Sequence, residues 1–140
     1  MAEAVQHFCF EHMRYFILPL VWALVILLLC AFPGKDIPHI SFLEMLSFDK
    51  WVHAGIFFIL ALLLMRGMKF AYVRAAHATA VLFALAVCIP YGGLLEIMQG
   101  TLFQDRSADW MDFVANSFGA VCGVLVYRKL AVRLKFFGAQ

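Results

Sequence analysis

The chain is predicted to be an all-α, polytopic membrane protein with four transmembrane helices and a short interfacial segment in its first loop. Its composition points there first: 65% of the 140 residues are hydrophobic, 14% are charged, and the mean hydropathy is +0.90. A soluble domain holds nearer ~45–50% apolar and ~25% charged residues. The apolar residues also fall into four stretches, residues 15–32, 51–65, 75–95 and 110–127, each near or slightly below the ~20 residues that cross a bilayer. Finally, the polar residues interrupting them gather where one stretch begins or ends. Residues 1–140 are expected to form a single domain, with no room for a second, soluble one.

Span one follows a polar leader and has the outline of a signal peptide, but no A-x-A-like cleavage site follows it. Leu27-Leu28-Leu29-Cys30 resembles a lipoprotein box, yet Leu29 is bulky where a small residue is needed, so a retained span is expected. Cys9, Cys30, Cys88 and Cys122 show no C-x-x-C or paired spacing and read as free thiols. Trp22 falls mid-span and is expected to pack inside.

Loop one, residues 33–48, holds Pro33-Gly34 and Pro38, then Phe42, Leu43, Met45 and Leu46 among Ser41, Glu44 and Ser47. That mix suits a short interfacial or re-entrant piece, or a connector resting on the headgroups. Trp51 and Trp110 open spans two and four, and Tyr15, Tyr72 and Tyr127 lie at the other ends, as interfacial belts require. In span three, Pro90 removes a backbone donor and predicts a kink before Glu96, leaving carbonyls free near that carboxylate, or else is a tolerated membrane-helix proline. In span four, Gly119-x-x-x-Gly123 predicts close helix contact. The basic, amphipathic tail 128–137 suits docking on an anionic inner leaflet.

Orientation follows from the basic residues. Arg14, Arg66, Lys69, Arg74, Arg128, Lys129, Arg133 and Lys135 are eight of the eleven, and with four spans they share one face; Lys35, Lys50 and Arg106 lie on the other. The positive-inside rule then puts both termini in the cytoplasm. Three polar clusters converge at the opposite, outer leaflet: Asp49-Lys50-x-x-His53, Glu96-x-x-Gln99, and Arg106-Ser107-x-Asp109-x-x-Asp112-x-x-x-Asn116. Ionisable side chains at membrane depth are costly without partners or water, so their concentration suggests one site.

Helical spacing puts Asp49 and His53 on one face, Glu96 and Gln99 on another, and Asp109, Asp112 and Asn116 on a stripe that Gly119 and Gly123 continue. Ser107 is placed to cap span four, and Asp49 and Asp109 are open to a capping or first-turn reading. Glu96 stands near a helix C-terminus, where the dipole disfavours an anion; a structural ion pair, for example with Arg106, is the alternative to a functional role.

D-K-x-x-H, then E-x-x-Q, then R-S-x-D-x-x-D-x-x-x-N-x-x-G in this order resembles the VanZ-like family of small bacterial membrane proteins. The matching residues are Asp49, Lys50, His53; Glu96, Gln99; and Arg106, Ser107, Asp109, Asp112, Asn116, Gly119. The resemblance covers most of the chain, from loop one to span four. It implies a multi-pass protein of the bacterial inner membrane with a cell-envelope role, the family's name coming from an accessory protein of glycopeptide resistance associated with teicoplanin tolerance.

Two functional classes follow. In the first, the pocket binds the headgroup of a membrane lipid or a lipid-linked cell-wall precursor, with Arg106 as phosphate or carboxylate partner, Asn116 and Gln99 as neutral donors, and Asp49, Lys50 and Asp109 completing the ligand-binding set. In the second, it is an intramembrane hydrolase or transferase acting on a lipid phosphate or acyl group. Glu96 or His53 would then serve as base or nucleophile, with Asp112 the third candidate catalytic residue and Arg106 stabilising charge. A variant has His53, Glu96, Asp109 and Asp112 hold a divalent cation, although no dense H-x-x-x-H-type motif marks a metal site. No nucleic-acid partner is expected.

Overall fold

The computed structural model describes residues 12–31, 42–103, 108–134 and 136–137, with the backbone alone for 42–47. These residues form four helices and no strand. A 3-10 turn at Arg14–Phe16 leads into α1, Ile17–Ala31. Then follow α2, Phe42–Ala71, α3, His77–Thr101, and α4, Trp110–Arg133. Four segments, Arg14–Ala31, Phe48–Ala71, His77–Thr101 and Trp110–Arg133, are long and apolar enough to cross a membrane, as the sequence predicts.

Helix α2 departs from expectation at both ends. At 30 residues it spans ~45 Å, against the ~30 Å of a hydrocarbon core. From Phe42 onward it absorbs the amphipathic half of loop one, because no proline or glycine lies between Pro38 and Gly55 to interrupt the ladder. The rest of that loop, with any separate interfacial piece, lies outside the described residues. At the far end α2 continues past Met65 to Ala71, carrying Arg66 and Lys69 that the sequence places in a loop. Arg66 bridges this extension by donating to the Phe136 carbonyl at 2.8 Å, with its guanidinium over the rings of Phe70 (4.8 Å) and Phe136 (4.3 Å).

Helix α2 is the centre of the bundle. Just over half of its span (56%) is buried, against 17% for α1. With lipid tails as apolar as leucine, close helix contact rests on small residues and shape rather than on the hydrophobic effect. Gly119 and Gly123 provide it: a Cβ on Gly119 would fall on the Ala54 backbone carbonyl, and one on Gly123 would lie 2.7 Å from the Phe58 oxygen and 2.9 Å from the Ala61 Cβ. Helix α3 contributes a second series that the sequence reading missed. Ala80, Ala84, Cys88 and Gly92, spaced by four, are all buried and lead up the same face to Glu96.

Helix α1 is the outer member, fastened by polar contacts. Trp22 donates its indole N–H to the Ile56 carbonyl at 2.9 Å, and the Tyr91 hydroxyl donates to the Ala23 carbonyl at 2.6 Å. Trp22 is therefore a packing residue, as expected from its mid-span position. Trp51 and Trp110 stand 73% and 72% exposed at the opposite end, where interfacial aromatics belong.

Three expectations are corrected. Tyr127 is buried rather than a belt residue: its hydroxyl donates to the Phe137 carbonyl at 2.8 Å, and the two rings meet edge to face. The tail 128–137 is not one continuous amphipathic segment, since α4 itself runs to Arg133 and Phe136–Phe137 fold back onto Arg66 and Tyr127. Pro90 lies within α3, exposed, and the carbonyl it leaves without a donor is that of Ala86. That group is ten residues, or ~15 Å of helix, from Glu96, too far to serve its carboxylate.

Candidate functional site

The contacts sort the helix ends into two groups. His12 lies near Tyr72, Tyr15 near Phe70, and Arg66 meets Phe136 at one end. At the other, Lys50, Glu96, Asp109 and Asp112 meet one another, and Gln99 reaches Cys30. The three polar clusters thus share one face of the bundle, opposite the basic Arg66, Lys69 and Arg74.

Helix α4 sets the site. Asp109, extended at φ −122°, caps it by accepting the Met111 N–H at 2.9 Å, which satisfies one of the orphan donors of the first turn. The cap is therefore Asp109 and not Ser107, which with Arg106 lies outside the described residues. Asp112 and Asn116 follow on the buried face, only 7% and 1% exposed. They point inward because the stripe they share continues into Gly119 and Gly123, which lie flush on α2.

Helix α2 answers from its first membrane turns. Lys50 Nζ donates to Asp109 Oδ2 at 2.8 Å and to Asp112 Oδ1 at 3.0 Å, tying the two helices. The Lys50 ammonium, followed by the Met111 N–H, holds the Asp109 carboxyl below the usual carboxylate range. One turn on, His53 is buried, with Nδ1 3.2 Å from Asn116 Oδ1. Its other nitrogen, Nε2, faces Asp49 Oδ1 at 3.6 Å and Asp112 Oδ2 at 3.9 Å. Both distances exceed a hydrogen bond.

Helix α3 packs against this cluster. Gly92 lies against Asn116, where a Cβ would sit 3.2 Å from the Asn116 Cβ. Glu96 is buried and its Oε2 accepts the Asp109 backbone N–H at 3.1 Å. Glu96 is not at the helix terminus as the sequence suggests, since α3 continues to Thr101. Its Oε1 is buried with no hydrogen-bond partner among the described residues, and the same holds for Asn116 Nδ2 and Ser117 Oγ.

Of the sequence-predicted site residues, the fold brings together Asp49, Lys50, His53, Glu96, Asp109, Asp112 and Asn116. Gln99 is buried beside them, but its amide donates to the Cys30 carbonyl at 3.4 Å, fastening α3 to the end of α1. It is therefore engaged, whereas Asn116 Nδ2 has no hydrogen-bond partner among the described residues. The expected metal set of His53, Glu96, Asp109 and Asp112 is also rearranged. Asp109 is occupied by Lys50 and Met111, and the side chains whose ligand atoms all lie within 4.8 Å of one another are Asp49, His53 and Asp112. Four carboxylates meet one ammonium here among the described residues, an arrangement suited to a ligand presenting positive charge. Compared with protein-family models, curated proteins and solved structures, the chain finds no match.

Proposed function

We propose that this is a VanZ-like cell-envelope protein of the bacterial inner membrane whose polar pocket binds the headgroup of a membrane lipid or lipid-linked cell-wall precursor at the outer leaflet. The observation that carries this reading is the pair of buried polar groups with no hydrogen-bond partner among the described residues, Glu96 Oε1 and Asn116 Nδ2, at a polar cluster where three helices meet. A purely structural ion-pair network is held together by satisfying its members, because each unpaired buried polar group costs ~1–3 kcal/mol. An acceptor and a donor without partners among the described residues of one polar cluster favour a ligand that supplies both.

The charge balance bears on which part of a headgroup enters. Lys50 is already shared by two carboxylates, so a bare phosphate would meet mostly like charge. An ammonium-bearing headgroup, or a phosphate accompanied by a cation, suits the pocket better. The position of the site on the face opposite Arg66, Lys69 and Arg74 supports the outer leaflet, since cytoplasmic loops carry the excess of Lys and Arg.

Enzymatic use of the same pocket is the second reading, favoured by the histidine. Asn116 holds His53 by one nitrogen and leaves Nε2 turned toward carboxylates, as a positioned base requires. The two readings separate on one experiment. Purified protein is extracted and its lipids compared by mass spectrometry with bulk membrane, for the native chain and for Glu96→Gln. Enrichment of one headgroup class that Glu96→Gln abolishes while the melting temperature holds supports binding. Turnover of an enriched lipid during incubation moves the reading to catalysis, and unenriched lipid in the native chain overturns it.

A further inference from the structure

We infer that Asp49, His53 and Asp112 form a divalent-cation site within this pocket, one that takes a metal of mixed oxygen and nitrogen preference such as Mn²⁺ or Zn²⁺. His53 Nε2 lies 3.6 Å from Asp49 Oδ1 and 3.9 Å from Asp112 Oδ2, and one ligand atom from each residue falls within 4.8 Å of the others. These separations are too long for hydrogen bonds. Two ligand atoms each ~2.0–2.2 Å from a shared ion stand ~3–4.4 Å apart, depending on the angle at the metal. The two separations from His53 Nε2 therefore match atoms arranged around an ion rather than bonded to one another.

A second observation points the same way. His53 is 5% exposed, and its Nε2 has no hydrogen bond among the described residues. Its Nδ1 sits 3.2 Å from Asn116 Oδ1, the outer-shell carbonyl contact that fixes ring and tautomer in metal-bound histidines. Asp112 is divided in the same manner: Oδ1 accepts from Lys50 at 3.0 Å, and Oδ2 turns toward His53. Asp49 is the more exposed ligand, on the solvent side. Glu96, whose Oε1 has no hydrogen-bond partner among the described residues, interacts electrostatically with both Asp112 and His53.

One histidine and two carboxylates leave coordination positions open, so the ion presents positive charge to an incoming ligand. Lewis-acid contact with a phosphate or carboxylate oxygen is then available in a pocket otherwise dominated by carboxylates. This inference deepens the headgroup reading but does not need a bound lipid, and the two fail separately.

The test uses the full chain in detergent, stripped with chelator and dialysed. Mn²⁺ is titrated with electron paramagnetic resonance and calorimetry as readouts, and melting temperature is recorded with and without metal. One Mn²⁺ per chain and a metal-dependent rise in melting temperature are expected. Asp49→Asn should weaken binding at least ~10-fold while leaving the metal-free melting temperature unchanged, because among the described residues Asp49 pairs only with His53 of its own helix. His53→Gln should abolish the nitrogen coupling in the resonance spectrum. Arg66→Ala, at the opposite end of the bundle, should leave affinity within about twofold. Absence of stoichiometric Mn²⁺ and Zn²⁺ binding overturns the site, as does binding that survives Asp49→Asn and His53→Gln unaltered. Metal binding without lipid enrichment sustains the site and removes the headgroup reading; lipid enrichment by metal-free protein unable to take up Mn²⁺ or Zn²⁺ does the reverse.

Discussion

Gly119→Ala adds a single methyl group and tests the seam on which the site stands. The new Cβ would fall on the Ala54 carbonyl oxygen, with the Ala54 carbonyl carbon 2.7 Å and its Cα 2.8 Å away. Every one of these atoms is backbone, so no rotamer change relieves the overlap and α2 and α4 must move apart. Overpacking of this kind costs ~1–3 kcal/mol, with backbone obstruction at the upper end, about 3. The better helix propensity of alanine returns ~1 kcal/mol, leaving a net loss near 2. Gly55→Ala is the matched control: it lies on α2 close to the same seam, yet nothing is within 4 Å of its added Cβ, so it should be neutral or gain up to ~1 kcal/mol. The two variants should then differ by about 3 kcal/mol, which at ~2–4 °C per kcal/mol for a chain of this size corresponds to roughly 6–12 °C in melting temperature. Detergent-solubilised protein followed by differential scanning fluorimetry, with expression level as a second readout, measures it. Melting temperatures within 2 °C of each other would refute the close approach of α2 and α4.

Asp109→Asn keeps the cap, since asparagine caps about as well as aspartate, but removes the charge that Lys50 binds. Because the folded carboxyl lies below its ordinary value, its contribution is fully present above pH ~4 and is lost as pH falls through the lower, folded value; the stability advantage of the native chain over the variant should therefore shrink in that acid window, and an advantage that grows on acidification contradicts the pairing. Arg66→Ala removes the hydrogen bond to the Phe136 carbonyl and the stacking on Phe70 and Phe136, so limited proteolysis should cut at the C-terminal end several-fold faster; an unchanged rate would mean that Tyr127 alone holds that segment. For topology, a periplasmic reporter fused after Gln140 should be silent and one inserted near Ile37 active, and the reverse pattern inverts the orientation.

How much was legible depends on where the determining interaction lies along the chain. The four spans, the outward Trp51 and Trp110, the inward Trp22 and the tight Gly119–Gly123 contact could all be read in advance, because a bilayer imposes length and apolarity locally and a glycine stripe has few other uses in a membrane helix. The convergence of the clusters followed as well, since an even alternation of spans places the ends of α2, α3 and α4 on one face. The buried series Ala80, Ala84, Cys88, Gly92 was equally available as a four-residue repeat of small side chains leading to Glu96, but it went unread because alanine and cysteine are unremarkable in any apolar span.

What the sequence by itself determined is membership and side: a four-span membrane protein with Asp49, His53, Glu96, Asp112 and Asn116 gathered at one end. Only the tertiary structure decided who partners whom. Helical periodicity states which residues of one helix share a face, but the rotation of one helix against another is set by packing, here by the Ala54 carbonyl seated on Gly119. That contact brings Lys50 to Asp109 and Asp112, and His53 to Asn116. Packing likewise committed Gln99 to Cys30 and put Asp49, in place of Glu96 and Asp109, in the cluster around His53, whereas the Asp109 cap is a local contact with Met111. Pairings across 59 to 63 residues have no local signature, because side chains that distant in sequence meet only after the backbones have found their closest approach.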